Sequence, residues 1–243
     1  MASIAASIPG TEQRERTFLF NMALFALAVV LFGFVGNIAR GASSFAVPWF
    51  YHAHAAPLIT WILLVNVQSW LAKEGNFSLH RQLGWLGAVV GVIFVCFGPV
   101  FTLLSGAYHV ETGTPAVPAY AGFLILNIFN FIQLGVWLVI GFTWRKRTDW
   151  HRRAMHIVTL LIVLVAWNRV VEIMGIDGQT HIILTQLALI AHFLIYMAGD
   201  WRIRGTIHPA WFWGLGAFCL EYPTYLISGD TVLGEAVLRA IAP

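Results

Sequence analysis

Residues 17–39 read TFLFNMALFALAVVLFGFVGNIA, an uncharged run bounded by Arg16 and Arg40. A membrane helix needs about 20 mainly apolar residues, and this run supplies them. It is also longer than the apolar core of a cleaved signal peptide, about 7–15 residues, so it reads as a retained anchor. The sequence predicts a first span at Phe18–Gly36.

The same test works outward along the chain. Residues 41–72 are uncharged up to Lys73, and the second span falls at His54–Leu71. The third follows Arg81 and runs to Leu104. The fourth lies at Ala119–Phe142, between Glu111 and Arg145. Only 15 residues separate Arg153 from Arg169, so a fifth span must take in Arg169 and Glu172. The sixth fills the interval from Asp177 to Asp200. A seventh, Pro209–Ile227, contains Glu221 and Pro223; six spans plus a re-entrant end is the competing count. The connection Ser105–Pro118, with Gly113 and Pro115, reads as an extracytoplasmic loop.

Composition agrees. Of 243 residues, 59% are hydrophobic and 10% charged, where a soluble domain carries about 25% charged residues. That excludes a soluble enzyme and a disordered chain, and two cysteines exclude a disulfide-built scaffold. The expected fold is all-α: a polytopic membrane helix bundle of seven transmembrane helices. Residues 1–17 form an N-terminal tail, 18–228 the transmembrane domain and 229–243 a C-terminal tail. The lipid bilayer is the first partner, and no nucleic-acid partner is expected.

Basic residues fix the orientation. With seven spans, one side holds Arg14, Arg16, Lys73, Arg81, Arg145, Lys146, Arg147, Arg152, Arg153, Arg202 and Arg204, and the other only Arg40, Arg169 and Arg239. By the positive-inside rule the N-terminus is cytoplasmic and the C-terminus periplasmic, in a bacterial inner membrane. Trp49, Tyr51, Trp144, Trp150, Trp201, Trp211 and Trp213 fit interfacial belts.

Nine histidines in so apolar a chain ask for an explanation, because intramembrane ionisable groups usually face a bundle interior or a wet cavity. His80, His151, His156, His192 and His208 fall in the cytoplasmic half, and His52, His54, His109 and His181 in the outer half. Leu79-His80-Arg81 opens the third span and His151-Arg152-Arg153 the fifth, so parallel helices can aim His80 and either His151 or His156 at one ligand. His156 lies about 7.5 Å deeper than His151 by helical rise, which favours it for a site inside the bilayer. His208, just before Pro209, reads as interfacial.

In the outer half, His52 and His54 can share an ion only if their segment is not regular helix, because residues two apart do not share a helix face. If the helix starts earlier, one of them faces inward. Arg169 and Glu172, three apart, can pair on one face. Glu172, Glu221 and His181 reach a similar outer depth, and His54, Glu172 and Glu221 are expected to approach one cavity.

The absences narrow the chemistry. Neither Lys73 nor Lys146 lies mid-span, which argues against a retinal Schiff base. H-E-x-x-H, C-x-x-C-H, the nucleotide-binding glycine motifs and the histidine boxes of membrane desaturases are all missing. Gly87 and Gly91, and also Gly214 and Gly216, read as close helix-packing faces. Cys96 and Cys219 read as core-filling thiols.

His52-Ala53-His54, Leu79-His80-Arg81-Gln82-Leu83-Gly84 and His151-Arg152-Arg153-Ala154-Met155 together resemble a group of multi-span proteins of Gram-negative bacteria that has no settled activity. That resemblance extends from the second span to His208-Pro209. His80-Arg81-Gln82-Leu83-Gly84 is also similar to the His-x-x-Leu-Gly stretch of two-haem transmembrane cytochromes b. Those proteins use a four-helix core with paired histidines at both membrane faces. The fourth span here carries no histidine, which departs from that pattern.

Three functions are expected from these readings. The first is a haem b protein of membrane electron transport, with His80, His156, His151, His54 and His52 as candidate ligands and a quinone or another membrane complex as partner. The second is an intramembrane enzyme acting on a lipid-like substrate through zinc or iron held by His52, His54, His181, Glu172 and Glu221. The third is a non-enzymatic subunit or sensor. As to orientation, a reporter fused after Arg147 should read cytoplasmic and one at the C-terminus periplasmic; a cytoplasmic C-terminus would overturn the seven-span topology.

Overall fold

A computed structural model describes residues 10–112, 117–221 and 223, with backbone alone at residue 110 and residues 117–124. The described residues form seven helices and no strand. These are α1 (Thr11–Ala39), α2 (Trp49–Lys73), α3 (Phe77–Glu111), α4 (Val117–Thr143), α5 (Thr148–Ile173), α6 (Gly178–Arg204) and α7 (Pro209–Cys219). The first six are long and apolar enough to cross a membrane. The seventh has 11 residues, about half the length that a crossing needs. Most of the expected seventh span beyond Cys219, and the expected C-terminal tail, lie outside the described residues.

Two expected boundaries move. α1 begins at Thr11, so part of the expected N-terminal tail is helical and brings Glu15 into the bundle. Ser105–Glu111, expected in a loop, belongs to α3. The Ser105 hydroxyl meets Tyr51 Oη at 3.0 Å and the Tyr108 ring stands 6.2 Å from that of Phe50, so the start of α2 holds this stretch in register.

The helices form a ring with three additions. α2, α3, α4 and α5 contact each other in turn, and α5 closes the ring against α2. At mid-height Trp61 meets Phe94 edge to face at 5.5 Å and donates from Nε1 to Thr159 Oγ1 at 3.1 Å. Gly87 and Gly91 let α3 approach its neighbours: a Cβ on Gly91 would sit 3.0 Å from Leu138, and one on Gly87 would sit 3.3 Å from Leu64. Of the other glycine pair, Gly214 lies against Ile157 of α5, while Gly216 faces open space. α1 and α6 cover the far side of α5, and α7 lies against α5 and α6.

α5 is therefore the central helix. Inside the bundle lies 61% of its most apolar window, against 33–39% for the other five. This accounts for the charges in the fifth span, because a helix enclosed by protein can carry ionic groups that find partners there.

The main partners sit at the basic end. Arg153 is fully buried. It donates from Nε to Asp200 Oδ2 at 2.9 Å and from one terminal nitrogen to Glu15 Oε1 at 2.6 Å. Arg152 and Arg204 close on Glu15 at 3.0 and 3.3 Å. Trp211, expected in an interfacial belt, is fully buried instead and donates its indole N–H to Asp200 at 2.9 Å. His208 caps α7: its Nδ1 accepts from the Ala210 amide, and its own amide donates to Asp200. Burial, then the Arg153 charge, hold His208 below the ordinary imidazole range, which favours the neutral ring that a capping acceptor requires. One guanidinium thus ties α1, α5, α6 and α7 together.

At the opposite end, Arg40, which caps the C-terminus of α1, donates to the last carbonyls of α5, Glu172 and Ile173, at 3.0 and 2.6 Å. Cys96 and Cys219, expected to fill the core, are exposed, where a thiol serves as a small apolar side chain.

Arg153→Ala should leave Glu15 and Asp200 as buried carboxylates short of a counter-charge and cost about 3–5 kcal/mol. Thermal unfolding in detergent checks this; Arg14→Ala, an exposed change at the same end, should move the midpoint little.

Candidate functional site

The basic end brings two half-buried histidines close together. His80, one turn into α3, and His151, one turn into α5, have ring centroids 6.2 Å apart with planes at 84°. His80 Nδ1 bonds the Gln68 carbonyl at 3.2 Å and His151 Nδ1 bonds the Gly141 carbonyl at 2.8 Å. A carbonyl only accepts, so each Nδ1 carries the proton and each neutral ring keeps a lone pair on Nε2. Metal-ligating histidines share this arrangement, with a backbone acceptor fixing tautomer and ring orientation.

Two further features belong here. A Cβ built on Gly84, four residues past His80 and so on the same side of α3, would meet nothing within 4 Å. Both polar atoms of the Gln68 amide are buried without a hydrogen-bond partner. His54, Trp61 and Gln68 recur every seven residues on one stripe of α2, and Trp61 shows that this stripe faces α5.

His156, favoured on depth, does not face His80. Its Nδ1 meets Tyr196 Oη of α6 at 2.8 Å, both side chains being buried. Five residues along a helix turn the side chain by about 140°, so His151 and His156 address different neighbours. From Tyr196 the polar line continues to His192, stacked 5.7 Å away, whose Nδ1 accepts from Trp167 at 3.4 Å.

The outer residues are placed separately. α2 starts at Trp49, so His52 and His54 lie in regular helix and point apart. His52, exposed, bonds the Phe45 carbonyl at 3.2 Å. His54 turns inward and stacks on Phe101 at 3.8 Å, its Nδ1 buried without partner. Pro57 lies inside the helix, as membrane helices tolerate. His181 bonds the Ile176 carbonyl and Asn168, both at 2.8 Å. Glu172 pairs with Arg169 at 2.8 Å. Glu221 is fully buried against Asn130 and Gln133 of α4. No described hydrogen bond joins His54, Glu172 and Glu221. Among the described residues no three His, Cys, Asp or Glu side chains form a group that could hold a metal ion.

Sequence reasoning missed Tyr196, Asn130, Gln133 and the Glu15–Asp200 pair. A buried Tyr, an amide or a carboxylate gives no motif; the available signal was polarity inside an apolar span.

No protein-family model matches the chain, and neither a curated protein nor a solved structure is significantly similar to it.

The His156–Tyr196 pair generates a coupling test. His156→Leu strands the buried Tyr196 hydroxyl and should cost about 1–3 kcal/mol. Combined with Tyr196→Phe, the two losses should be less than additive in a double-mutant cycle on thermal stability.

Proposed function

We propose that this multi-pass membrane protein binds haem b through His80 and His151 and passes electrons within or across the bacterial inner membrane. The carrying observation is the His80–His151 pair itself: two imidazoles from different helices, each with Nδ1 tied to a backbone carbonyl and Nε2 left to coordinate. With iron–nitrogen bonds of about 2 Å, two axial imidazoles have their centroids roughly 6 Å apart, close to the spacing in this ring.

The residues suit a macrocycle in a second respect. One turn past His80 on the same face of α3, Gly84 has no neighbour within 4 Å of its Cβ position, so no side chain there would crowd a flat group bound at His80. When bound, haem would supply one-electron redox chemistry. The protein's part is to hold both rings in a fixed tautomer, exclude water with the Trp61–Phe94 layer further in, and set the charge near the site through Arg81 and Arg152. A partner of the quinone class, or a neighbouring membrane complex, would exchange electrons with it. The crowding of basic residues at this end supports a cytoplasmic location for the site and for the N-terminus.

Protein purified from haem-replete cells should show a sharp Soret band that shifts on reduction. His80→Ala and His151→Ala should each abolish it, whereas His156→Ala should retain it. Colourless protein, or a band lost with His156 and kept without His151, overturns the proposal.

A further inference from the structure

Glu221 is the one buried carboxylate among the described residues for which the structure gives no ion pair: Glu15 and Asp200 are buried but paired with Arg153, Glu12, Glu74, Asp149 and Glu172 have cationic or histidine partners, and Glu111 and Asp177 are exposed. Its depth follows from its partners. Asn130 donates from Nδ2 at 3.0 Å and Gln133 from Nε2 at 2.7 Å, both to Glu221 Oε1. Asn130 is the central residue of α4 (Val117–Thr143), so the carboxylate lies near the middle of the bundle's height.

The other half of the group is unsatisfied. Glu221 Oε2 and Gln133 Oε1 are both buried and have no hydrogen-bond partner. These are two buried acceptors, on two side chains that touch through their other polar atoms, with nothing to accept from. Glu221 lies two residues past the last residue of α7, after the single turn residue Leu220, and is itself helical. Burial disfavours an anion there.

No described cation offsets it. α4 contains no Asp, Glu, Lys, Arg or His, and α7 contains no ionisable group except Cys219. Of the helices against α7, α5 brings Arg153, committed to Glu15 and Asp200, and His156, bonded to Tyr196. α6 brings Tyr196 itself and His192, which faces Trp167 and Phe25. Among the described residues, then, no cation is placed to offset the Glu221 charge.

We propose that Glu221, with Asn130 and Gln133, forms a membrane-embedded monovalent-cation site that takes up a proton or a sodium ion. Oxygen acceptors grouped at the end of a short helix near the membrane midplane are the ligand set that carriers of Na⁺ and H⁺ use. Glu221 supplies the charge, Asn130 and Gln133 fix the rotamer through Oε1, and the free Glu221 Oε2 and Gln133 Oε1 remain for the ion. This inference does not rest on the haem reading, and its readout does not involve colour.

The probe is N,N′-dicyclohexylcarbodiimide, an apolar reagent that modifies protonated carboxyl groups in membranes, applied to the full-length protein in liposomes and read by mass spectrometry. Glu221 should be labelled at mildly acidic pH, with no adduct at that position in Glu221→Gln. Labelling should fall as pH rises. If sodium at constant pH also suppresses it, the ion is sodium; if only pH does, it is the proton. Gln133→Leu removes a donor to the ionised form, so labelling should persist to a pH higher by about one unit, a tenfold change in proton affinity. Absence of the Glu221 adduct at every pH, or labelling indifferent to both pH and sodium, overturns the proposal.

Discussion

The arrangement depends on a single buried guanidinium. Arg153 is the point at which α1, α5, α6 and α7 meet, through Glu15, Asp200 and the indole of Trp211, which shares Asp200. Lipid offers no hydrogen bonds and little hydrophobic force between helices, so polar contacts of this kind and close packing must define which helices are neighbours. The site for His80 and His151 inherits its geometry from this lock, because His151 sits only two residues before Arg153 on the same helix.

Six helices long and apolar enough to cross a membrane were legible in the sequence because charged residues punctuate the apolar runs. The partners of the charges were not. Arg152 and Arg153 read as a membrane-interface pair, and nothing in the local sequence says that Glu15, 138 residues earlier, comes to meet one of them. The end of the third span was misjudged for a similar reason: Ser105 and Gly106 look like loop residues until the tyrosine of another helix takes up the hydroxyl.

The candidate site was half legible. Histidines at the starts of parallel helices did indicate that two could face each other, and His80 lies opposite an imidazole of α5. Depth alone selected His156, whereas helical phase turns that ring toward Tyr196. A phase argument needs the neighbour of each face, and a lone sequence does not say which helices are adjacent. The apparent excess of polar residues in α6 resolves in the same way. His181, Thr185, His192, Tyr196 and Asp200 lie along one stripe, turned toward the interior while Leu187, Leu194 and Ile195 face outward. The buried face of the helix carries these polar groups among apolar ones such as Leu189 and Phe193.

The central place of α5 bears on how the protein is made. Its opening turns carry two arginines, and its far end carries Arg169 and Glu172, a poor substrate for a translocon that sorts segments by their own apolarity. When Arg153 emerges, Glu15 has already been synthesised, but Asp200 is still 47 residues away. In that interval Glu15 is the one of the two carboxylates already made, so α1 is the helix available to meet the Arg153 charge first. The second carboxylate then arrives with α6 and closes the assembly.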